Sequence, residues 1–78
     1  MNFTNYFLET RGRPDRAGIK DEWIARVISN PLNEVIQSDG RIRRWGRIVE
    51  ADNRVLRVVL LKDGETIHNA FFDRGFAP

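Results

Sequence analysis

The stretch Arg54 to Phe72, RVLRVVLLKDGETIHNAFF, decides the fold. Val55, Leu56, Val58, Val59, Leu60 and Leu61 form a nearly unbroken aliphatic run rich in β-branched residues, the composition of a strand covered on both faces. Asp63-Gly64 follows, a pair suited to a two-residue type I′ turn because both of its central residues take φ > 0. Thr66 to Phe72 then returns as a second strand. With Lys62 opposite Glu65, Leu60 faces Ile67, Val59 faces His68, Val58 faces Asn69 and Arg57 faces Ala70. Side chains alternate along a strand, so Leu56, Leu60, Ile67 and Phe71 share one side. Arg57, Val59, Thr66, His68 and Phe72 share the other, which therefore carries the chain's single histidine beside a strand-borne arginine.

Working outward, the 78 residues are expected to form a single domain, 1–78, near the lower size limit for a chain held by its core alone. There is no cysteine, hence no disulfide, thiolate zinc site or thiol nucleophile. No apolar run approaches the roughly 20 residues of a membrane span, and Phe3 to Leu8 lacks the basic flank of a signal peptide. A cytoplasmic protein is expected. The net charge is only +2, yet eleven of the thirteen basic residues are arginine. The planar guanidinium favours bidentate contact with phosphate or carboxylate, so the bias points to an anionic partner.

Thr4 is placed to cap a helix from Asn5 to Arg11, with Phe3, Phe7 and Leu8 as its apolar stripe. Gly12 and Pro14 stop it, and RGRPDRAG reads as a loop holding Arg11, Arg13 and Arg16. A second helix runs from Asp21 to Ser29, with Ile19 and Ile24 spaced as a hydrophobic staple and Trp23, Ile24, Val27 and Ile28 facing inward. Asn30-Pro31 ends it. Asn33 to Ser38 and Arg41 to Glu50 read as strands joined at Asp39-Gly40, and Asp52-Asn53 returns the chain to Arg54. The expected fold is α+β, two helices on a four-stranded antiparallel meander.

If Ala51 opposes Arg54, then Arg44, Arg57 and His68 share a face, with Gly46 leaving a gap where a ligand approaches. Trp45, Leu56, Val58, Leu60, Ile67 and Phe71 then form the core face. The opposite face still holds Val35, Ile42, Ile48, Val59, Leu61 and Phe72, enough apolar surface to expect a cover from a second copy or another protein.

RPDRAGI, EWIARVISNP, DGRIRRWGRI and LRVVLLKDGETIHNAFFDR together resemble the small BrnT-like proteins of the RelE/ParE toxin superfamily, over about residues 10 to 74. The resemblance implies a sheet packed on two helices, ribonuclease activity, and neutralisation by a cognate antitoxin. It assigns catalysis to His68 and Arg57, and RNA or phosphate binding to Arg16, Arg44, Arg43 and Arg74. His68 is the side chain whose ordinary pKa suits proton transfer near neutrality. Some relatives carry a tyrosine near the C-terminus, whereas this tail has Arg74 and Phe76 and the only tyrosine is Tyr6. No cofactor or metal is implied: one histidine and no cysteine make a poor ligand set. Two readings stay open, a metal-independent endoribonuclease acting on RNA and a non-catalytic interaction domain, homodimeric or partner-bound.

Overall fold

The computed structural model describes residues 1–77; Pro78, the last residue of the tail, lies outside them. Strand β1 (Asn2–Phe3) leads into helix α1 (Asn5–Thr10), and helix α2 (Asp21–Ser29) follows. Strands β2 (Asn33–Ile36), β3 (Ile42–Ile48), β4 (Arg54–Leu60) and β5 (Thr66–Phe72) complete the chain. The α+β class is as expected, but the sheet is five-stranded and mixed, in the order β1-β5-β4-β3-β2. The additional strand, β1, runs parallel to β5, with Asn2 opposite Thr66 and Phe3 opposite Ile67. Two residues are too few to carry a visible period; the pairing itself makes them a strand.

Local signals explain both helices. Thr4 Oγ1 accepts from the Phe7 N–H at 3.1 Å and so caps α1. Phe7 is buried and stacks on Phe3, while Leu8 is exposed and Thr10 takes the inward place expected for it. Ile19 and Ile24 are both buried across the start of α2, and Asp21 and Glu22 sit at its positive end. Asn30, before Pro31, leaves the helical region at φ −145°. Phe7, Ile19, Trp23, Ile24 and Val27 from the helical side meet Ile48, Leu56, Val58, Leu60, Ile67 and Ala70 from one face of the sheet, and this is the core. Among the described residues no helix is long and apolar enough to cross a membrane.

The register differs from expectation at two places, and both change which side chains share a face. β3 ends at Ile48, which pairs with Arg54; residues Val49–Ala51 coil into a 3-10 turn, and Asp52 and Asn53 follow at φ 58° and 62°. The turn is therefore three residues longer than the expected Asp52-Asn53 link, with Ala51 buried beneath it. An odd offset exchanges the two faces of β3. Ile48 and Gly46 turn to the helices and Trp45 turns away, the reverse of the expected arrangement. Gly46 consequently does not leave a ligand gap. A Cβ there would lie 2.8 Å from Val27 Cγ2, so its missing side chain is what lets α2 approach the sheet.

The second difference lies in β5. Its loop is not type I′, since Gly64 alone takes positive φ, at 72°, and Leu61 N–H bonds Thr66 O across Lys62 to Glu65. Leu60 still faces Ile67, but a bulge then intervenes, so that Val59 pairs with Asn69, Val58 with Ala70, Arg57 with Phe71 and Leu56 with Phe72. Ala70 and Phe72 turn to the helices, and Phe72 meets Trp23 edge-on. Phe71 joins Arg57 on the face the helices leave open.

Replacing Gly46 by Ala is expected to destabilise the fold by about 1–3 kcal/mol through overpacking against Val27. Val27→Ala in the same background should recover part of that loss. Denaturant unfolding of the two variants tests the close approach; an unchanged midpoint for Gly46→Ala would show that α2 does not depend on it.

Candidate functional site

The open face is built from alternate residues of the three central strands, and the bulge sets its centre. His68 is the inserted residue, held between Ile67, which points into the core, and Asn69, which pairs with Val59. Bulges re-aim side chains in this way, often beside active sites. His68 Nδ1 lies 3.1 Å from Thr4 Oγ1, and the imidazole stacks on the Tyr6 ring at a centroid distance of 4.9 Å. The N-terminal cap of α1 thus also orients the histidine. Together with Gln37, Arg41, Arg57 and Val59, Tyr6 and His68 line an open recess of about 450 Å³.

Arg57 is held by rings as much as by charge. Its guanidinium carbon lies 5.1 Å from the Phe71 centroid and 5.6 Å from that of Trp45. Asp73 Oδ2, 3.8 Å away, is beyond hydrogen-bond reach, and the buried Nε has no partner among the described residues. Burial, then the Arg43 charge, pulls its pKa down against the opposing pull of Asp73, yet a guanidinium remains a cation throughout the physiological range. Arg16 reaches the same face from the loop between the helices. It donates to Asn69 Oδ1 at 2.9 Å and lies over Phe71, and its buried Nε also lacks a partner.

The expected residues are therefore sorted by the register. His68 and Arg57 share the recess, and Arg16 approaches it through Asn69. Arg43 is on the same face, opposite Val59, where Gln37 accepts from its guanidinium once the amide is oriented with oxygen inward. Arg44 is not with them. It pairs with Val58 on the helix side, and its guanidinium is bonded to Glu34 at 2.6 Å and to the Ile28 carbonyl at 3.0 Å. The three-residue difference in the β3–β4 turn is the cause. Arg74 sits at the rim, exposed and with no ion pair among the described residues. Tyr6, Arg41 and Asn69 were not anticipated as neighbours of His68; the cap at Thr4 was readable, but its contact across 64 positions was not.

Part of the open face is already covered. The tail after β5 folds onto Trp45, with Phe76 stacked on the indole at 5.4 Å and Asp73 Oδ2 accepting from its Nε1 at 2.9 Å. Trp45 is buried in consequence. Comparison with protein-family models, curated proteins and solved structures gave no match.

Burial, and secondly the Arg41 charge, lowers the His68 pKa from its ordinary 6.5. The imidazole is thus predominantly neutral at pH 7 and able to accept a proton. The sign for stability follows: between the folded pKa and 6.5 the unfolded chain binds more protons, so stability falls as pH drops through that window. Titration of the His68 ring signals by NMR should give a pKa below 6.5, and Arg41→Gln should raise it without restoring it fully, because burial remains. A pKa at or above 6.5 in the unaltered protein would contradict this account of the recess.

Proposed function

We propose that the chain is a toxin-like, metal-independent endoribonuclease of the BrnT-like kind, cytoplasmic and acting on RNA through the open face of its sheet. The observation that carries this reading is the presence of His68, Arg57 and Arg41 in one recess, with an imidazole that is neutral at pH 7 beside two permanent cations.

The reaction is transesterification within the RNA. Thr4 Oγ1 accepts from the Phe7 N–H and lies 3.1 Å from His68 Nδ1; the reaction uses the tautomer with its proton on Nδ1, donated to Thr4, which leaves Nε2 as the base. Nε2 takes the proton from a ribose 2′-hydroxyl as its oxygen bonds to the adjacent phosphorus. The bond from phosphorus to the 5′-oxygen breaks, and that oxygen takes a proton back from the imidazolium or from water. The products are a 2′,3′-cyclic phosphate and a 5′-hydroxyl. Arg57 and Arg41 stabilise the charge that grows on the phosphate oxygens.

A second reading, partner binding without catalysis, is favoured by the sheet edge. All four residues of β2 are exposed, with Ile36 66% and Val35 43% accessible, and Leu32 beside them 55%. Such an edge accepts a strand from a cognate antitoxin or from a second copy.

Induced expression in a bacterium should arrest growth and yield discrete RNA ends. His68→Ala should reduce cleavage at least about 100-fold, the scale of general-base catalysis, while the protein stays folded; Arg57→Ala should also abolish arrest. Normal growth and intact RNA from a folded, soluble wild-type chain would remove the nuclease reading and leave the edge as the functional surface.

A further inference from the structure

A second recess, larger than the one around His68, opens elsewhere on the molecule. It lies around the rim of the sheet, where the loop between the helices meets the 3-10 turn, and it encloses about 600 Å³. Three arginines, Arg16, Arg54 and Arg74, stand on its wall, with Trp23, Phe71 and Phe72 as its aromatic surfaces. Phe71 lines both recesses, and Arg16, bonded to Asn69 of the first, lines the second. The two are therefore contiguous across one phenylalanine.

Some of the donors here are fixed in place and others have no hydrogen-bond partner among the described residues. Arg54 Nε bonds the Ala51 carbonyl at 3.0 Å, and its guanidinium lies 4.0 Å over the Phe72 ring. Both contacts fix the plane of the fork, and its terminal nitrogens have no partner among the described residues. A fork fixed in this way loses little further freedom on binding an anion. Among the described residues Arg74 is exposed without an ion pair, and Arg16 Nε is buried without a hydrogen-bond acceptor. Three carboxylates share the wall, but Glu50 is gripped by both terminal nitrogens of Arg26 at 2.9 and 2.8 Å. Asp15 and Asp52 are exposed, and the nearer, Asp15, stays 3.8 Å from Arg16 Nε.

We propose that this rim recess binds a second phosphate of the same RNA strand, so that the substrate is a single strand crossing Phe71 with one phosphate at Arg57 and Arg41 and another at Arg54 and Arg74. The inference rests on the RNA reading of the open face and adds to it a length requirement. A dinucleotide fills only the first recess; a longer strand reaches the second.

The test is fluorescence anisotropy of the full chain with 2′-O-methyl oligoribonucleotides of two and six residues, which bind without being cleaved. The six-residue strand should bind more tightly than the two-residue one. Arg54→Gln and Arg74→Gln should each weaken the longer strand about two- to fivefold, the range of exposed charge contacts. Each should lower its salt slope by about 0.7, the value of one phosphate on a single strand, and leave the dinucleotide unchanged. Arg74 is exposed and makes no side-chain hydrogen bond or ion pair among the described residues, so its variant answers even where Arg54→Gln loses stability. Equal affinity for the two lengths, or unchanged binding of the longer strand in Arg74→Gln and folded Arg54→Gln, would overturn the rim site alone. Failure of both strands to bind the unaltered protein would overturn it together with the RNA reading.

Discussion

The alternation of side chains across a pleated sheet leaves each strand only two choices of face, and in this chain one inserted residue makes that choice for β5. With His68 accommodated as a bulge, Ala70 and Phe72 turn to the helices while Asn69 and Phe71 turn away. Without it, the Asn69 amide would stand beside Val58 on the core side, where an unpartnered amide costs about 1–3 kcal/mol, and Phe72 would lose its place against Trp23. The disrupted ladder is the smaller loss. The same insertion brings Asn69 and Phe71 to the open face beside Arg57, while His68 keeps the side of Val59 that unbulged pairing would also give it.

Charge is divided between the two faces in a corresponding way. On the helix side and the surface around it, arginines are matched: Arg44 with Glu34 and the Ile28 carbonyl, Arg26 with Glu50, Arg11 with Asp21. Pairs of this exposed kind contribute about 0–1 kcal/mol each. On the open face Arg16 and Arg57 rest on rings, with the carboxylates of Asp15 and Asp73 no nearer than 3.8 Å, and Arg41 has Asp39 at the same distance. Phe71 lies between Arg16 and Arg57, and Arg57 also faces Trp45. A guanidinium held through its flat face keeps the N–H groups at its edge for an in-plane acceptor. Two buried Nε atoms without partners are a cost to the folded chain, and an anion bound at either recess would offset it.

What the sequence made legible was local. The Thr4 cap, the Ile19–Ile24 staple, the Asn30-Pro31 stop and the strands of the last hairpin all rest on neighbours a few residues apart, and each is present. What escaped was parity and distance. Residues 49–51 alternate well enough to pass for the end of a strand, and only the burial of Ala51 coils them into a turn; that misplaced Arg44 and Gly46 together. Arg57 and His68 met regardless, because the bulge falls at His68 itself and leaves it on the side of Val59. β1 is made by long-range pairing alone, and with it came the position of Tyr6, whose helix is oriented by that strand.

Thr4 joins these separate elements. Its N–H bonds the Ile67 carbonyl at 3.0 Å, extending the β1–β5 pairing; its hydroxyl caps α1 and also meets His68. Hydrogen bonds sharing one residue are lost together more readily than singly. The partner that orients the imidazole therefore joins the shortest strand and the shortest α-helix among the described residues, elements with few backbone hydrogen bonds to hold them. The core opposite, from Val27 to Leu60, does not depend on that contact. Opening of β1 and α1 would release His68 and Tyr6 from one another and would also withdraw Phe7 from the core, so order at the site is tied to the packing of the domain.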